Sequence, residues 1–273
     1  MAAETSRVVL VTGSSSGIGR ASADHLSQNG WHVWGASRRL TAASEVGTWT
    51  PVRLDVTSDD SVAAAMAAVL ERSQRLDALV HCAGIAVAGS VEDVTLAEAE
   101  HQIATNYLGT VRMLRAVLPV MRQQGTGRII VIGSIGGLIG LPFLGHYSAS
   151  KFALDGLVEA LRHELAPFAI QATILHPGDI RTDISSNQVE GAATGPSSAY
   201  HARFRATISA YDRNVREARG PEVIAAAVEH VLTSRRQPAR VIAGTSIERA
   251  GVGLKSALPR RLFELILRKS YGL

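Results

Sequence analysis

Along the chain, short apolar runs alternate with segments in which apolar residues recur every three or four positions. The runs have strand length and end at turn residues; the longer segments have helical period. Arg7 to Val11 (RVVLV) reads as a buried first strand and Trp31 to Ala36 (WHVWGA) as the second. Val52 to Leu54 is a short third, Asp77 to Cys82 a fourth, Arg128 to Ile132 a fifth, Gln171 to His176 a sixth and Arg240 to Ala243 the last. Between them, Ser58 to Ser73 predicts a helix with Ser58 as N-cap and Asp59 and Asp60 in its first turn. Leu96 to Gln124 predicts one or two helices, with others at Tyr147 to Pro167 and Pro221 to Thr233. This alternation predicts an α/β fold, a doubly wound parallel sheet of about seven strands with helices on both faces.

The first strand runs into Thr12-Gly13-Ser14-Ser15-Ser16-Gly17-Ile18-Gly19 and then a helical pattern. Glycines at 13, 17 and 19 permit a tight turn and let backbone N–H groups approach a pyrophosphate at the helix N-terminus. The spacing is G-x-x-x-G-x-G rather than G-x-G-x-x-G. Its place after the first strand of an alternating chain marks a Rossmann-type, dinucleotide-binding sheet. At the end of the second strand stand Ser37, Arg38 and Arg39, where an enzyme selecting NAD(H) places a carboxylate. A guanidinium binds a 2′-phosphate through charge-assisted bonds. The expectation is therefore NADP(H), with Arg38 as the main contact, Arg39 as a second, and Ser37 leaving room and a donor.

A chain of 273 residues, 46% hydrophobic and 19% charged, can bury a large core and is not disordered. The sole cysteine, Cys82, excludes an intramolecular disulfide and suits a reducing compartment. MAAETSR lacks the layout of a signal peptide, so a cytoplasmic location is expected. Ile129 to Gly145 is free of charge but carries five glycines and Pro142, short of the ~20 apolar residues of a spanning helix. The net charge of +4 is matched by the segment 251–273 alone, where five basic residues face one acidic one. No basic stripe crosses the body, which argues against nucleic acid. His81, His146 and His176 have no metal-ligand spacing, so no metal is expected.

Tyr147 and Lys151 lie one helical turn apart and project from the same face, with Ser134 upstream at the end of the fifth strand. A phenol has an unperturbed pKa of about 10. A neighbouring ammonium favours the phenolate and draws that value toward neutrality. A serine hydroxyl can hold a carbonyl or alcohol oxygen beside the phenol. That equipment moves a proton on oxygen while a hydride moves on the adjacent carbon, with Tyr147 as general acid/base.

In these residues the chain resembles the short-chain dehydrogenase/reductases over essentially its length to about residue 245. TGSSSGIG (Thr12 to Gly19), with Gly13, Ser15, Ser16, Gly17, Ile18 and Gly19, resembles that family's cofactor loop. Asp55-Val56 is similar to the segment that contacts adenine, and Cys82-Ala83-Gly84 stands where the family usually has Asn-Ala-Gly. Asn106, Ser134, Tyr147 and Lys151 match its catalytic tetrad in order and spacing. His176-Pro177-Gly178, continuing through Ile180 to Thr182, resembles the segment that holds the nicotinamide end. The resemblance implies that Lys151 also binds ribose and that Asn106 holds a water joining the lysine to solvent. GTVRML at 109–114, GGLIGLPF at 136–143 and SASKFALDGL at 148–157 are most similar to the 17β-hydroxysteroid dehydrogenase and retinol dehydrogenase-like branch. A thiol is a weak donor and acceptor, so Cys82 predicts a structural compromise at that position.

Residues 1–250 read as a single catalytic domain, and 251–273 as a basic amphipathic tail. Residues 184–220 read as a substrate lid, offering Ile184, Tyr200, Phe204, Ile208 and Tyr211, with Leu138, Leu141, Pro142 and Phe143 on the other wall. These favour a bulky hydrophobic ketone or secondary alcohol. The alternative is a non-catalytic NADP(H)-binding sensor or scaffold on the same fold. The resemblance also implies a homodimer, with Phe152, Leu157 and Leu161 across the two-fold axis. In the tail, Leu258, Leu262, Leu265, Ile266 and Lys269 recur at helical spacing among Arg260, Arg261 and Arg268. Such a stripe either docks on protein, the favoured outcome, or lies on an anionic membrane.

Overall fold

The first strand, β1 (Val8–Thr12), is buried at every position, as a strand covered on both faces must be. In this computed structural model, which describes residues 6–41, 43–44, 46–182 and 189–273, β1 sits inside a seven-stranded sheet. The other members are β2 (His32–Ser37), β3 (Thr50–Arg53), β4 (Ala78–His81), β6 (Gly127–Ile132), β7 (Ile170–Pro177) and β9 (Arg240–Ala243). Their order is β3-β2-β1-β4-β6-β7-β9, and every pairing is parallel. Chain direction across the sheet reverses between β1 and β4, and that switch point opens a crevice at the carboxyl ends of the strands. The short strands β5 (Val87–Ala88) and β8 (Val189–Glu190) form a separate pair.

Successive residues of β1 face opposite sides. Val9 and Val11 join Leu26, Val80, Ile130, Leu175, Ile224 and Val228 in one core cluster. Three of these side chains come from α1 (Gly17–Gln28) and α7 (Glu222–Thr233). Val8 and Leu10 join Val69, Met113, Val117, Met121, Leu154 and Val158 in the other. That face is covered by α2 (Asp59–Ser73), α4 (Gly109–Gln124) and α5 (Gly145–Glu164). Ser58 caps α2 as expected, its hydroxyl accepting from the Ser61 N–H at 3.2 Å. The expected stretch from Leu96 to Gln124 is α3 (Leu96–Ile103) running through a π-helical turn, Ala104–Leu108, into α4. The helix bearing Tyr147 and Lys151 begins at Gly145, so Tyr147 lies in its first turn.

Beyond β8 the described chain forms α6 (His201–Glu217), and after β9 it forms α8 (Ser246–Ala257) and α9 (Arg260–Ser270). A third apolar cluster joins Ala88, Leu144, Phe204, Ile208 and Tyr211, with Tyr147 and Tyr271 packed against it. Leu161, expected at a two-fold contact, belongs instead to the chain's own core, because its position on α5 faces the sheet. Leu157 is partly buried against that core, and Phe152 is exposed with the Lys255 ammonium 4.7 Å from its ring centroid. Among the described residues, no helix is long and apolar enough to cross a membrane.

Gly35, in the middle of β2, makes room for an indole. A Cβ there would fall 2.2 Å from the Trp49 ring, which is itself buried. Gly35→Ala is expected to cost about 1–3 kcal/mol through overpacking, read as a lower denaturant midpoint at unchanged slope.

Candidate active site

The crevice at the switch point is a cleft of about 770 Å³. Its wall at the end of β1 is backbone. Gly13 has φ +70°, and a Cβ on it would lie 2.9 Å from the Ala83 nitrogen and the Cys82 carbonyl carbon. A Cβ on Gly19 would lie 2.3 Å from the Gly13 oxygen, so strand, turn and helix meet with no space for a side chain. Ser16 precedes α1 in extended conformation and its side chain makes no cap bond, which leaves the first-turn N–H groups facing the cleft without a side-chain acceptor from their own cap.

Beside Cys82, where the resemblance sets an asparagine, the Thr12 hydroxyl stitches the strand ends together. It accepts from the backbone N–H of Cys82 and of Ala83, each at 3.2 Å, and lies 2.8 Å from Nδ1 of His81. Cys82 therefore need not bridge anything. Although part of its surface opens into the cleft, burial pushes its thiol up to about 12, so it stays protonated. His81 is held neutral by the same desolvation.

The cleft brings together the expected cofactor contacts Gly13, Ser15 to Gly19, Ser37 to Arg39, Asp55 and Val56, Cys82 to Gly84, Pro177, Gly178, Ile180 and Thr182. At the far end of β2, the Ser37 hydroxyl is buried without a partner, and Arg38 forms no ion pair among the described residues. Arg39 donates to the Ser15 hydroxyl at 3.1 Å. Burial would raise the Asp55 carboxyl, but bonds from the N–H and hydroxyl of Thr57, with Arg38 nearby, hold it below its usual range.

Ser134, Tyr147 and Lys151 line the same cleft. Burial pushes the Tyr147 phenol above its ordinary range, and a hydrogen bond from Ser134 pulls it back. The Ser134 oxygen also accepts from the Gly136 N–H at 3.0 Å, which leaves its own proton for the phenol. Lys151 is buried, and desolvation lowers its ammonium to about 8. Its Nζ donates to the Ile132 carbonyl at 2.9 Å and sits 5.8 Å from the Tyr147 ring centroid. The expected pull of this ammonium on the phenol is therefore not what dominates. Both groups are desolvated, and each is driven toward its neutral form.

Asn106 does not line the cleft. It is buried in the π-helical turn, where its Oδ1 accepts from the Ile85 N–H at 2.8 Å. Its Nδ2 donates to the Ile85 carbonyl at 3.0 Å and to the Ser150 hydroxyl at 2.9 Å. The amide thus ties the strand-end loop to the helix that carries Tyr147 and Lys151. Sequence reasoning missed a second tie. His176, fully buried, places Nδ1 2.8 Å from the Ser134 carbonyl oxygen and Nε2 3.1 Å from Asp155 Oδ1, and Asp155 is paired with Arg240. No local sequence pattern joins residues from three separate elements.

Of the expected substrate contacts, Leu141 and Tyr211 line the cleft. Phe204 and Ile208 pack in the third cluster because their positions on α6 face inward, and Tyr200 is exposed. Pro142 and Phe143 line a neighbouring groove, Leu138 lines neither, and Ile184 lies outside the described residues. Leu144, Val189, Val215 and Tyr271 complete the wall. Tyr271 comes from beyond α9 and stacks on Tyr211 with ring centroids 4.6 Å apart.

Three comparisons with known proteins agree with this geometry. The family model "short chain dehydrogenase" matches residues 7–193. The chain is 34% identical to 3-ketodihydrosphingosine reductase of Bacteroides thetaiotaomicron, covering 98% of each chain. It is 40% identical to human 17-beta-hydroxysteroid dehydrogenase type 1 over 64% of this chain and 57% of that one. A short chain dehydrogenase/reductase from Burkholderia phymatum, solved in complex with NAD, superimposes with a TM-score of 0.80 at 25% identity, covering 94% of this chain and 95% of that one.

One carboxyl in the cleft sets a pH dependence. Asp179 is pushed up to about 6 by burial and by the charge of Glu248, with a bond from Asn214 opposing. Between its ordinary value near 4 and about 6, the unfolded chain has lost this proton and the native chain keeps it, so stability falls as pH rises across that window. Asp179→Asn is expected to melt above the parent at neutral pH, with the gap closing as pH drops from about 6 to about 4. Equal melting curves throughout that range would show that Asp179 carries no such penalty.

Proposed function

The chain belongs to the short-chain dehydrogenase/reductase family, and on that premise we propose that it is an NADP(H)-dependent reductase of ketones carried on bulky hydrophobic molecules. The observation that carries the reading is the convergence of Ser134, Tyr147 and Lys151 in the cleft that also holds the glycine cradle. The residues present fit a dinucleotide. Backbone at Gly13 and Gly19 leaves no room for side chains, the Ser37 hydroxyl lacks a partner, and Arg38 is free of any ion pair among the described residues. A bound reduced nicotinamide supplies the hydride.

Ser134 orients the substrate carbonyl oxygen, and Tyr147 gives it a proton. The raised phenol suits this direction, because the protonated form is the one that donates. Lys151, near 8, is charged at neutral pH and is placed to hold ribose hydroxyls beside the phenol. Asn106 is assigned to positioning that lysine's helix, since its side-chain amide is spent on Ile85 and Ser150. Ser37 and Arg38 select the 2′-phosphate. The apolar wall of Leu141, Leu144, Val189 and Val215 supports a hydrophobic substrate, and the relative named 3-ketodihydrosphingosine reductase supports the direction. A cytoplasmic homodimer is part of this reading. The homodimer is supported by the exposed apolar pair Leu108 and Phe152, one ending the π-helical turn before α4 and one on α5.

A panel of ketones with each reduced cofactor, followed by nicotinamide absorbance, tests the reading. Tyr147→Phe is expected to lose turnover by about 10²–10⁴-fold while NADPH still binds; near-parental turnover would sink the mechanism.

Arg38→Asp replaces an attractive charge by a repulsive one. It is expected to weaken NADPH binding strongly and leave NADH binding unchanged or improved. Unchanged NADPH affinity in titration would remove Arg38 from the phosphate site.

A further inference from the structure

The tail helix α9 has a wider apolar arc than the body covers. Phe263, Leu267 and, beyond the helix end, Tyr271 fall on one line at i, i+4, i+8 and are partly buried. Leu262, Leu265 and Ile266 remain 40–49% exposed, and these are the residues whose spacing announced the helix. The stripe expected to dock on protein is thus largely the one left open, because the docked line is the adjacent one.

Leu265 faces a groove of about 510 Å³ whose walls include Val91, Pro142, Phe143, Tyr200 and Leu273. Arg203 and Arg268 stand at its edge, and Leu141 is shared with the active-site cleft. Arg203, Arg261, Arg268 and Lys269 have no ion-pair partner among the described residues, and the one carboxylate on α9, Glu264, is already paired with Arg260. Exposed leucines flanked by unpaired guanidinium groups complement a surface that is apolar inside and anionic at its boundary. A second copy fits poorly, since a two-fold contact would set these like charges against one another.

We propose that the outer face of α9 and the adjoining groove seat on an anionic phospholipid bilayer, bringing the cleft mouth beside Leu141 to the membrane surface. The leucines enter the headgroup boundary, and Arg203, Arg261, Arg268 and Lys269 engage lipid phosphates. The contact needs neither cofactor nor turnover, so it is tested apart from the reaction.

The test is cosedimentation of the full chain with vesicles of phosphatidylcholine, alone or with about a third phosphatidylglycerol. Binding is expected to the mixed vesicles and not to the neutral ones, weakening as salt is added. Arg261→Glu with Arg268→Glu is expected to weaken it by about ten-fold or more, and Leu262→Asp with Ile266→Asp likewise, at unchanged circular dichroism and melting temperature. Three outcomes would overturn the proposal: no binding to the anionic vesicles, equal binding to neutral ones, or unaltered binding by both folded variants. A fall in solution mass of the Leu262→Asp, Ile266→Asp variant by light scattering would also overturn it, assigning the face to a contact between copies of the chain.

Discussion

The molecule is organised by the closeness with which backbone packs on backbone at the end of β1. Gly13 touches the Cys82–Ala83 peptide, Gly19 closes on Gly13, and the Thr12 hydroxyl binds the two N–H groups across the strand gap. No side chain could stand there without separating β1 from β4 or α1 from the turn. The crevice depends on that contact, because its floor is the backbone brought to the surface of the sheet. The loops that form its floor are then placed by strand ends whose register is fixed by parallel pairing.

Desolvation governs the chemistry of the cleft. The same burial lowers Lys151, raises Tyr147, raises Cys82 and neutralises His81. At its Tyr147 end the site therefore gathers titratable groups whose charged forms are disfavoured. A thiol at a reactive-looking position stays inert, and a lysine one turn from a phenol is drawn to within reach of neutral pH. Hydrogen bonds, more than ion pairs, decide which proton faces a substrate.

Most of this was legible in the sequence where a local pattern carries the physics. Alternating runs gave the sheet, the glycine turn gave the cradle, and the Tyr147–Lys151 spacing gave one helix face. What escaped depends on residues distant in the chain. His176 shows no metal-ligand spacing in the sequence, and its partners Ser134 and Asp155 come from other elements. Tyr271 reaches the cleft only because α8 and α9 fold back over it, and helical period alone does not tell which part of a wide apolar arc the body will cover. Asn106 lies outside the cleft, in a π turn that spacing does not encode.

The link from Arg240 through Asp155 and His176 to the Ser134 backbone has a consequence for variation of this scaffold. Arg240 opens the last strand of the sheet, half in solvent, the kind of position where libraries ordinarily tolerate any residue. Here it is linked, through Asp155 and His176, to the backbone of Ser134 in the cleft. A substitution at the rim of the sheet therefore removes a partner of Asp155, which is itself bonded to the buried histidine that holds the Ser134 backbone. Substitutions at the rim and in the cleft should consequently be epistatic, and lineages of this fold would inherit them in pairs.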